Sequence, residues 1–365
     1  MNILFLTTHF NTGGITSYIL TLSRNLVKSG HKVWVVSSGG DCESLLKEVG
    51  GIHVTLNIRT KSEVHPKLFF ALKPLQNLIR HENINIIHAQ TRVTQVLGTW
   101  LAKRSGINMI TTCHGFFKPR WSRKKFPCWG KAVIAISKPV AQHLSDDLGV
   151  PQDKIHLIPH GIDLNIFKVT NEEDRRKSRQ AVGIGDVPLI GIIARLSDVK
   201  GVDVLIKAMP LILKELPQAI LIIAGQGPEE SGLKKLTQDL SLTRQVLFKS
   251  IINQTQDLLP AFDVFVMPSI MEGLGLSVME AQACGIPVVA SNVGGLVDLI
   301  EEGKTGLLVK ANDPVALAER ILQILRNLPQ AQQMAIQARL NIEHHYSING
   351  MLQKTTQIYE QYSGR

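Results

Sequence analysis

Pro268-Ser269-Ile270-Met271-Glu272-Gly273-Leu274-Gly275-Leu276-Ser277-Val278-Met279-Glu280-Ala281-Gln282-Ala283-Cys284-Gly285-Ile286-Pro287-Val288-Val289-Ala290 is the stretch that decides how this chain is read. The apolar run Val264–Met267 leads into it and has the length of one buried strand. Glu272 follows the strand, then two glycines, then a helical stretch from Leu276 to Ala283, then a second apolar strand over Pro287–Ala290. Continuous apolar strands joined through a helix indicate a parallel sheet covered on both faces. Glu280 stands in the mostly apolar helix, where a carboxylate is costly to bury without donors. The two hydroxyls of a ribose are suitable donors. Backbone amides near Gly275, Leu276 and Ser277 open the helix and are placed to hold a phosphate. Ser291-Asn292-Val293-Gly294-Gly295 adds another glycine loop after the next strand.

The same alternation extends in both directions. Upstream in this half are strands at Leu189–Ala194 and Ala219–Ala224, the latter running into Gly225-Gln226-Gly227, with a helix at Val202–Leu213 between them. Downstream come a strand at Gly306–Val309 and helices at Pro314–Leu325, Gln332–Glu343 and Ile348–Gln361. The first half has strands at Ile3–Thr7, Val33–Val36, Ile84–Ile87, Met109–Thr111 and Val133–Ile136. The expected fold is α/β, with two Rossmann-like parallel-sheet domains facing across a cleft. The first spans 1–165, and the terminal segment at about 346–365 is one more helix. The polar stretch 166–186 reads as a linker with one exposed helix, and the second domain spans 187–345. Ligands in such sheets sit beyond the carboxyl ends of the strands, so the loops after the strands are where function is sought.

A chain of 365 residues with 44% hydrophobic and 19% charged residues is globular, which excludes a disordered or fibrous protein. Its apolar runs are far shorter than the roughly 20 residues of a membrane span. Met1–Leu6 reads as a first strand rather than a signal peptide. Cys42, Cys113, Cys128 and Cys284 form no CxxC pair, which argues against a zinc knuckle and for a reducing compartment. Residues 1–125 carry 17 Lys and Arg against 5 Asp and Glu, a balance of +12, whereas residues 126–365 carry 23 against 25, a balance of −2. That asymmetry points to one basic face on the first domain.

Four further loops carry candidate chemistry. Thr7-Thr8-His9-Phe10-Asn11-Thr12-Gly13-Gly14 joins a strand to a helix whose amides can meet an anion at Gly13 and Gly14. It is not GxGxxG, so the dinucleotide fingerprint is absent. Thr111-Thr112-Cys113-His114-Gly115 places His114 just after a strand, where an imidazole reaches a phosphate or sugar hydroxyl; His9 and His160 also follow strands, at no metal-ligand spacing. Phe116–Trp129 holds Lys118, Arg120, Arg123, Lys124 and Lys125 among five aromatics and no acid. Cations attract anionic headgroups, and Trp121, Phe126 and Trp129 would add shallow anchoring. A soluble acidic acceptor or nucleic acid suits the same composition. Arg195 and Lys200, on the loop after Leu189–Ala194, form a clamp for a diphosphate and would neutralise a departing nucleoside diphosphate.

With these residues in place, the chain resembles the retaining GT-B glycosyltransferases of the family 4, or group 1, type over nearly its whole length. The matching residues are Gly13-Gly14, His114, Pro159-His160-Gly161-Ile162-Asp163, Arg195, Lys200-Gly201, Gly225-Gln226-Gly227-Pro228, Gly285–Ala290 and Gly294-Gly295. Most specific is Glu272 followed by seven residues and Glu280. The resemblance implies a donor site of Gly13, Gly14, Arg195, Lys200, Gly225, Glu272, Gly273, Gly275, Leu276, Ser277 and Glu280. In it Arg195 and Lys200 bind the diphosphate, Glu280 holds the ribose, and Glu272 contacts the transferred sugar. His114 reaches the sugar or phosphate from the first domain, which the resemblance has completed by the C-terminal helix at about 346–365. Catalysis would rest on Glu272, His114, Arg195 and Lys200. The family works without metal, and no cofactor is expected beyond the nucleoside-diphosphate sugar itself. Ala194, His160, Ser250 and Asp298 depart from the family pattern; Ser250 leaves the nucleobase open, with uridine favoured and guanosine possible.

The implied reaction is retaining transfer of a hexose-type sugar to a saccharide or lipid-linked acceptor, in cell-envelope polysaccharide, lipopolysaccharide or glycolipid synthesis. The expected partners are the nucleotide sugar, that acceptor and an anionic membrane surface, Lys118–Lys125 forming the membrane or acceptor face, and not nucleic acid. The expected location is cytoplasmic, peripheral on the inner face of the membrane. A GT-B-fold sugar-nucleotide epimerase is the nearest alternative, and a non-catalytic nucleotide-binding scaffold the next.

Overall fold

The computed structural model describes residues 1–119, 121–250 and 255–363. Two units emerge, one of Met1–Gly161 with the segment beginning at Ile348, the other of Ile162–Ser347. The seven strands of the first are β1 (Asn2–Leu6), β2 (Lys32–Ser37), β3 (Ile52–Thr55), β4 (Ile86–Ala89), β5 (Asn108–Cys113), β6 (Val133–Ala135) and β7 (Ile155–Leu157). They lie in the order β3-β2-β1-β4-β5-β6-β7, all parallel. The second unit has β8 (Leu189–Ile193), β9 (Ile220–Ala224), β10 (Val246–Lys249), β11 (Val264–Met267), β12 (Val288–Ser291) and β13 (Leu307–Val309). Their order is β10-β9-β8-β11-β12-β13, again all parallel. Both units are thus Rossmann-like, as the GT-B resemblance requires.

In each sheet the strand order reverses once, between β1 and β4 and between β8 and β11. At such a reversal the flanking connections leave toward opposite faces, and a crevice opens beyond the strand ends. The central strands are fully buried: Ile3, Leu4, Phe5 and Leu6 in β1, and Val264, Phe265 and Val266 in β11, expose nothing. This is why they read as unbroken apolar runs. The edge strands β3 and β7, half-exposed, carry mixed sequences such as Ile52-His53-Val54-Thr55 and were not legible as strands.

The terminal helix Ile348–Tyr362 belongs to the first unit. Met351, Ile358 and Tyr359 enter its core beside Tyr18 and Leu22. Tyr359 Oη lies 2.7 Å from Nδ1 of the fully buried His88, whose Nε2 lies 2.7 Å from Thr112 Oγ1. Burial holds His88 far below the usual histidine range.

The polar stretch expected as a linker is more than a solvated connection. Helix Glu172–Val182 lies within the second unit, and Arg179 is buried. Arg179 Nη2 donates to Asp263 Oδ2 at 2.7 Å, Nε to the Ala261 carbonyl at 3.1 Å, and Arg175 pairs with Asp263 Oδ1 at 2.6 Å. Asp263 Oδ2 also accepts from the Leu189 amide at 2.7 Å, so one carboxylate ties this helix to the starts of β8 and β11. A guanidinium with this many acceptors can be buried where a bare cation cannot.

Candidate active site

In the second unit the loops after β8 and β11 meet at the strand-order reversal. The Ile270 amide donates to the Val199 carbonyl at 2.8 Å, binding one loop to the other. Gly201 follows the turn Asp198–Lys200 in the left-handed region, φ 62°, and a Cβ there would stand 2.0 Å from the Pro268 carbonyl oxygen. Only glycine allows that approach. Lys200 Nζ therefore reaches Glu272 Oε2 at 2.5 Å, and Ser269 Oγ donates to the same oxygen at 3.3 Å. The pair is largely withdrawn from water, with Lys200 21% and Glu272 11% exposed. The Gly295 amide donates to the Glu272 carbonyl at 3.0 Å, which brings in the loop after β12.

Arg195 and Lys200 share the β8 loop, but their side chains do different things. Lys200 engages Glu272. Arg195 is exposed and makes no ion pair among the described residues, not even with Asp198 on the same loop. A guanidinium left free at a strand end is available to an anionic ligand.

Helix Leu276–Ala283 begins one residue after Gly275, φ 98°, and its first-turn amides at Leu276 and Ser277 lack acceptors within the helix. Glu280 lies half-buried one turn further on. Thr255 Oγ1 donates to Glu280 Oε2 at 3.0 Å. Burial pushes the Glu280 carboxyl up to about 7, and the Thr255 hydroxyl only partly offsets it. A carboxylate short of donors in this way is suited to accept two more from a vicinal diol.

Gly225 has a backbone reason to be glycine: a Cβ there would stand 1.9 Å from the Ala194 carbonyl oxygen. Its amide donates to the Lys249 carbonyl at 3.1 Å, closing the ends of β8, β9 and β10 together. Ser250, the departure expected to affect the nucleobase turn, is the last residue before positions 251–254, which lie outside the described residues.

In the first unit, the loop after β1 is pinned by Asp41, whose Oδ1 accepts from the Thr12 amide at 2.7 Å. Gly13 then caps helix Gly14–Lys28 and, with Gly14, is exposed. His114, after β5, meets Gln90, after β4: Nε2 lies 2.8 Å from Gln90 Oε1. Tyr18 stands edge-on to the His114 ring at 5.0 Å. Burial, with His160 nearby, drives His114 down to about 3, and burial takes His160 to about 4. His114 is therefore a neutral imidazole at ordinary pH. With Gln90 accepting from Nε2–H, Nδ1 is an acceptor that suits a sugar hydroxyl better than a phosphate.

The basic-aromatic segment corrects part of the sequence reading. Arg123 is not a surface cation. It is 9% exposed, its guanidinium lies 4.7 Å over the Phe117 ring, and Nη2 faces Glu63 at 3.9 Å. Arg92 pairs with the same Glu63 at 3.0 Å and donates to the Phe126 and Pro127 carbonyls, so a buried ion cluster holds the segment down. Trp129 is 5% exposed and belongs to the interior, not to an interface. Lys118, Trp121 and Lys125 remain outward, with Lys125 Nζ 4.8 Å over the Trp121 ring. Arg120 and the Lys124 side chain lie outside the described residues. The described residues contain no helix long and apolar enough to cross a membrane, and no group of three His, Cys, Asp or Glu side chains that could hold a metal.

Sequence reasoning missed Gln90, Ser269, Thr255 and Asp41. Gln90 follows β4 directly and Ser269 stands two residues after β11, so the rule that singled out His114 and Glu272 applies to them as well. Thr255 and Asp41 carry no signal in a single sequence, because their roles depend on partners 25 and 29 positions away.

Residues 12–166 match Glycosyltransferase Family 4, and residues 174–341 match Glycosyl transferases group 1. A GDP-mannose-dependent monoacylated alpha-(1-6)-phosphatidylinositol monomannoside mannosyltransferase of Corynebacterium glutamicum is 30% identical over 302 residues, 78% of this chain and 79% of that protein. The chain belongs to this glycosyltransferase family. Among solved structures, a glycosyltransferase from Rickettsia africae is 25% identical and superimposes with a TM-score of 0.87 over 99% of this chain and 98% of that one. Anabaena Alr3699/HepE in complex with UDP-glucose gives 0.88 at 21% identity, over 99% and 100%. The GT-B glycosyltransferase fold and the assignment as an enzyme of sugar transfer thus stand on residues spread over both units.

Proposed function

We propose that this glycosyltransferase transfers a hexose-type sugar, with retention, from a nucleoside-diphosphate sugar to a saccharide or lipid-linked acceptor in envelope polysaccharide, lipopolysaccharide or glycolipid synthesis. The observation that carries the reading is the meeting of Lys200 and Glu272 where the second sheet reverses its strand order. Phosphate-binding groups and a sugar-binding carboxylate come from adjacent loops there, with Glu280 one helix away for a ribose. Arg195, Lys200 and the amides of Leu276 and Ser277 stabilise the departing diphosphate. Glu272 Oε2 is already engaged by Lys200 and Ser269, so the carboxylate acts as a hydrogen-bond acceptor for the sugar rather than a nucleophile. His114, on the first unit, carries at Nδ1 an acceptor of the kind that suits a sugar hydroxyl. No step requires a metal ion. A UDP-sugar is the favoured donor, in line with the UDP-glucose complex of the Anabaena protein; a GDP-sugar accords with the Corynebacterium relative.

The test is product analysis by mass spectrometry, with UDP-, GDP- and ADP-sugars offered alongside extracted envelope lipids. Acceptor-dependent appearance of a glycosylated product is expected. Conversion of the sugar nucleotide with no acceptor present would replace transfer by epimerisation.

We also propose that Lys118, Trp121 and Lys125 hold the first unit against an anionic membrane at its cytoplasmic face. Each basic residue near such a surface contributes about 1 kcal/mol, lost as salt rises. Wild type should float with anionic vesicles at low salt and not with neutral ones. A K118S/W121S/K125S variant should float less and keep its nucleotide affinity; Arg123 is left in place because it is structural. Absence of flotation at low salt rejects the membrane assignment and leaves transfer standing.

A further inference from the structure

A groove of about 510 Å³ runs along the outer surface of the first unit, lined by Phe69, Lys73, Gln76, Asn77, Arg80 and Arg104. The first five recur at helical spacing on helix Pro66–His81, and Arg104 stands in the last turn of helix Arg92–Ser105. One turn before Arg104, Trp100 stacks on Phe69 with ring centroids 4.7 Å apart and planes 21° apart. The stack fixes the Phe69 ring and leaves it 52% exposed. Lys73, Arg80 and Arg104 are exposed and form no ion pair among the described residues. The acids nearest in sequence are engaged elsewhere, Glu63 with Arg92 and Glu82 beside His81. Residues 64–81 contain no Asp or Glu, and neither do residues 83–145, which carry ten Lys and Arg.

Helix-end electrostatics favours a cation in a last turn and accounts for Arg80 and Arg104 taken singly. It does not account for Lys73 in mid-helix. Nor does it explain three mutually repelling cations converging on one groove with two amide side chains and a fixed aromatic face.

We propose that this groove is a second binding site, for the phosphate ester of a saccharide. Arg80 and Arg104 grip the phosphate with their guanidinium forks, and Lys73 completes the charge balance. Phe69 takes the apolar face of the sugar ring, and Gln76 and Asn77 meet its hydroxyls. The site is separate from that of transfer. Helices in a parallel sheet run antiparallel to the strands, so Arg80, six residues before β4, and Arg104, four before β5, lie at the edge where strands begin. Gly13 and His114 follow the opposite ends of β1 and β5. The proposal therefore stands independently of the reaction assigned to the second unit.

Calorimetric titration with glucose 6-phosphate and inorganic phosphate, at roughly physiological salt, tests it. Wild type and R195A/K200A should bind glucose 6-phosphate alike, because the groove does not use the donor loop. R80S/R104S and F69S should each bind about tenfold more weakly or worse. Unchanged nucleotide affinity in these two variants shows that the fold is intact. Inorganic phosphate should bind more weakly than the sugar phosphate and be indifferent to F69S. Vesicles containing phosphatidylinositol, set against vesicles of equal charge containing phosphatidylglycerol, separate the sources. A preference for inositol that R80S/R104S abolishes assigns a lipid-borne ligand; equal binding beside a positive titration assigns a soluble one. Equal glucose 6-phosphate affinity in wild type and R80S/R104S overturns the proposal, as does loss of binding in R195A/K200A.

Discussion

Alanine at Lys200 is expected to lower the transfer rate by about 10²–10³-fold, the usual loss when one preorganised donor to developing charge is removed. It should also lower stability, because Lys200 is the only cation paired with Glu272 among the described residues. Removing it leaves a carboxylate 11% exposed with one neutral side-chain donor among the described residues, Ser269, at 3.3 Å. Orphaning a charged group in this way costs on the order of 1–3 kcal/mol. Adding Glu272→Gln to Lys200→Ala removes the orphaned charge, so the double variant should recover stability but not rate. Arg195→Ala provides the contrast, since Arg195 is exposed and makes no ion pair among the described residues: its rate should fall with melting unchanged. Initial rates set beside urea unfolding curves separate these effects. If activity in Lys200→Ala follows only the fraction folded, Lys200 is a structural residue and not part of the reaction.

Glu280→Gln should weaken nucleotide-diphosphate binding by roughly 10–100-fold, the equivalent of losing charge-assisted hydrogen bonds worth about 1.5–3 kcal/mol. The same substitution should stabilise the free protein above neutral pH. Burial raises the Glu280 carboxyl from its ordinary 4.5 to about 7 in the folded state. Between those values the folded chain holds a proton that the unfolded chain has released, so stability falls as pH rises through that window. The full shift amounts to about 3 kcal/mol. Glutamine cannot ionise, so the variant should lack that slope and melt higher than wild type at pH 8. Ribose hydroxyls need the ionised carboxylate as acceptor, so wild-type affinity should strengthen from pH 6 to pH 8 while that of Glu280→Gln stays flat. A wild-type affinity indifferent to pH, or equal affinities of the two folded proteins at pH 8, would remove Glu280 from the ribose site.

The basic-aromatic segment Phe116–Trp129 shows where one-dimensional reading failed. Arg123 and Trp129 were grouped with Lys118 and Trp121 because all are basic or aromatic and close in sequence. Which of them face water is settled by Glu63, some sixty residues earlier, and by packing around β5 and β6. Arg179 failed for the same reason: a charge run resembles a solvated helix until Asp263, 84 positions away, supplies the acceptor. The edge strands β3 and β7 were missed because half-exposed strands alternate weakly, and three or four residues give little pattern to read.

What the sequence determined by itself is the parallel-sheet architecture, the places where loops follow strands, and the chemical types gathered there. Buried central strands must be apolar throughout, and a strand-to-helix turn that receives an anion must be glycine-rich, so both leave marks in local order. Tertiary structure alone decided which of those groups meet. Lys200 and Glu272 are 72 positions apart, and they touch because β8 and β11 flank the one reversal of strand order in their sheet. Glu280 acquires its raised pKa from the protein that closes around it, and Arg195 makes no ion pair because no carboxylate among the described residues is brought to it. Pairing, burial and electrostatics depend on distances through space, which residues adjacent in the chain do not encode.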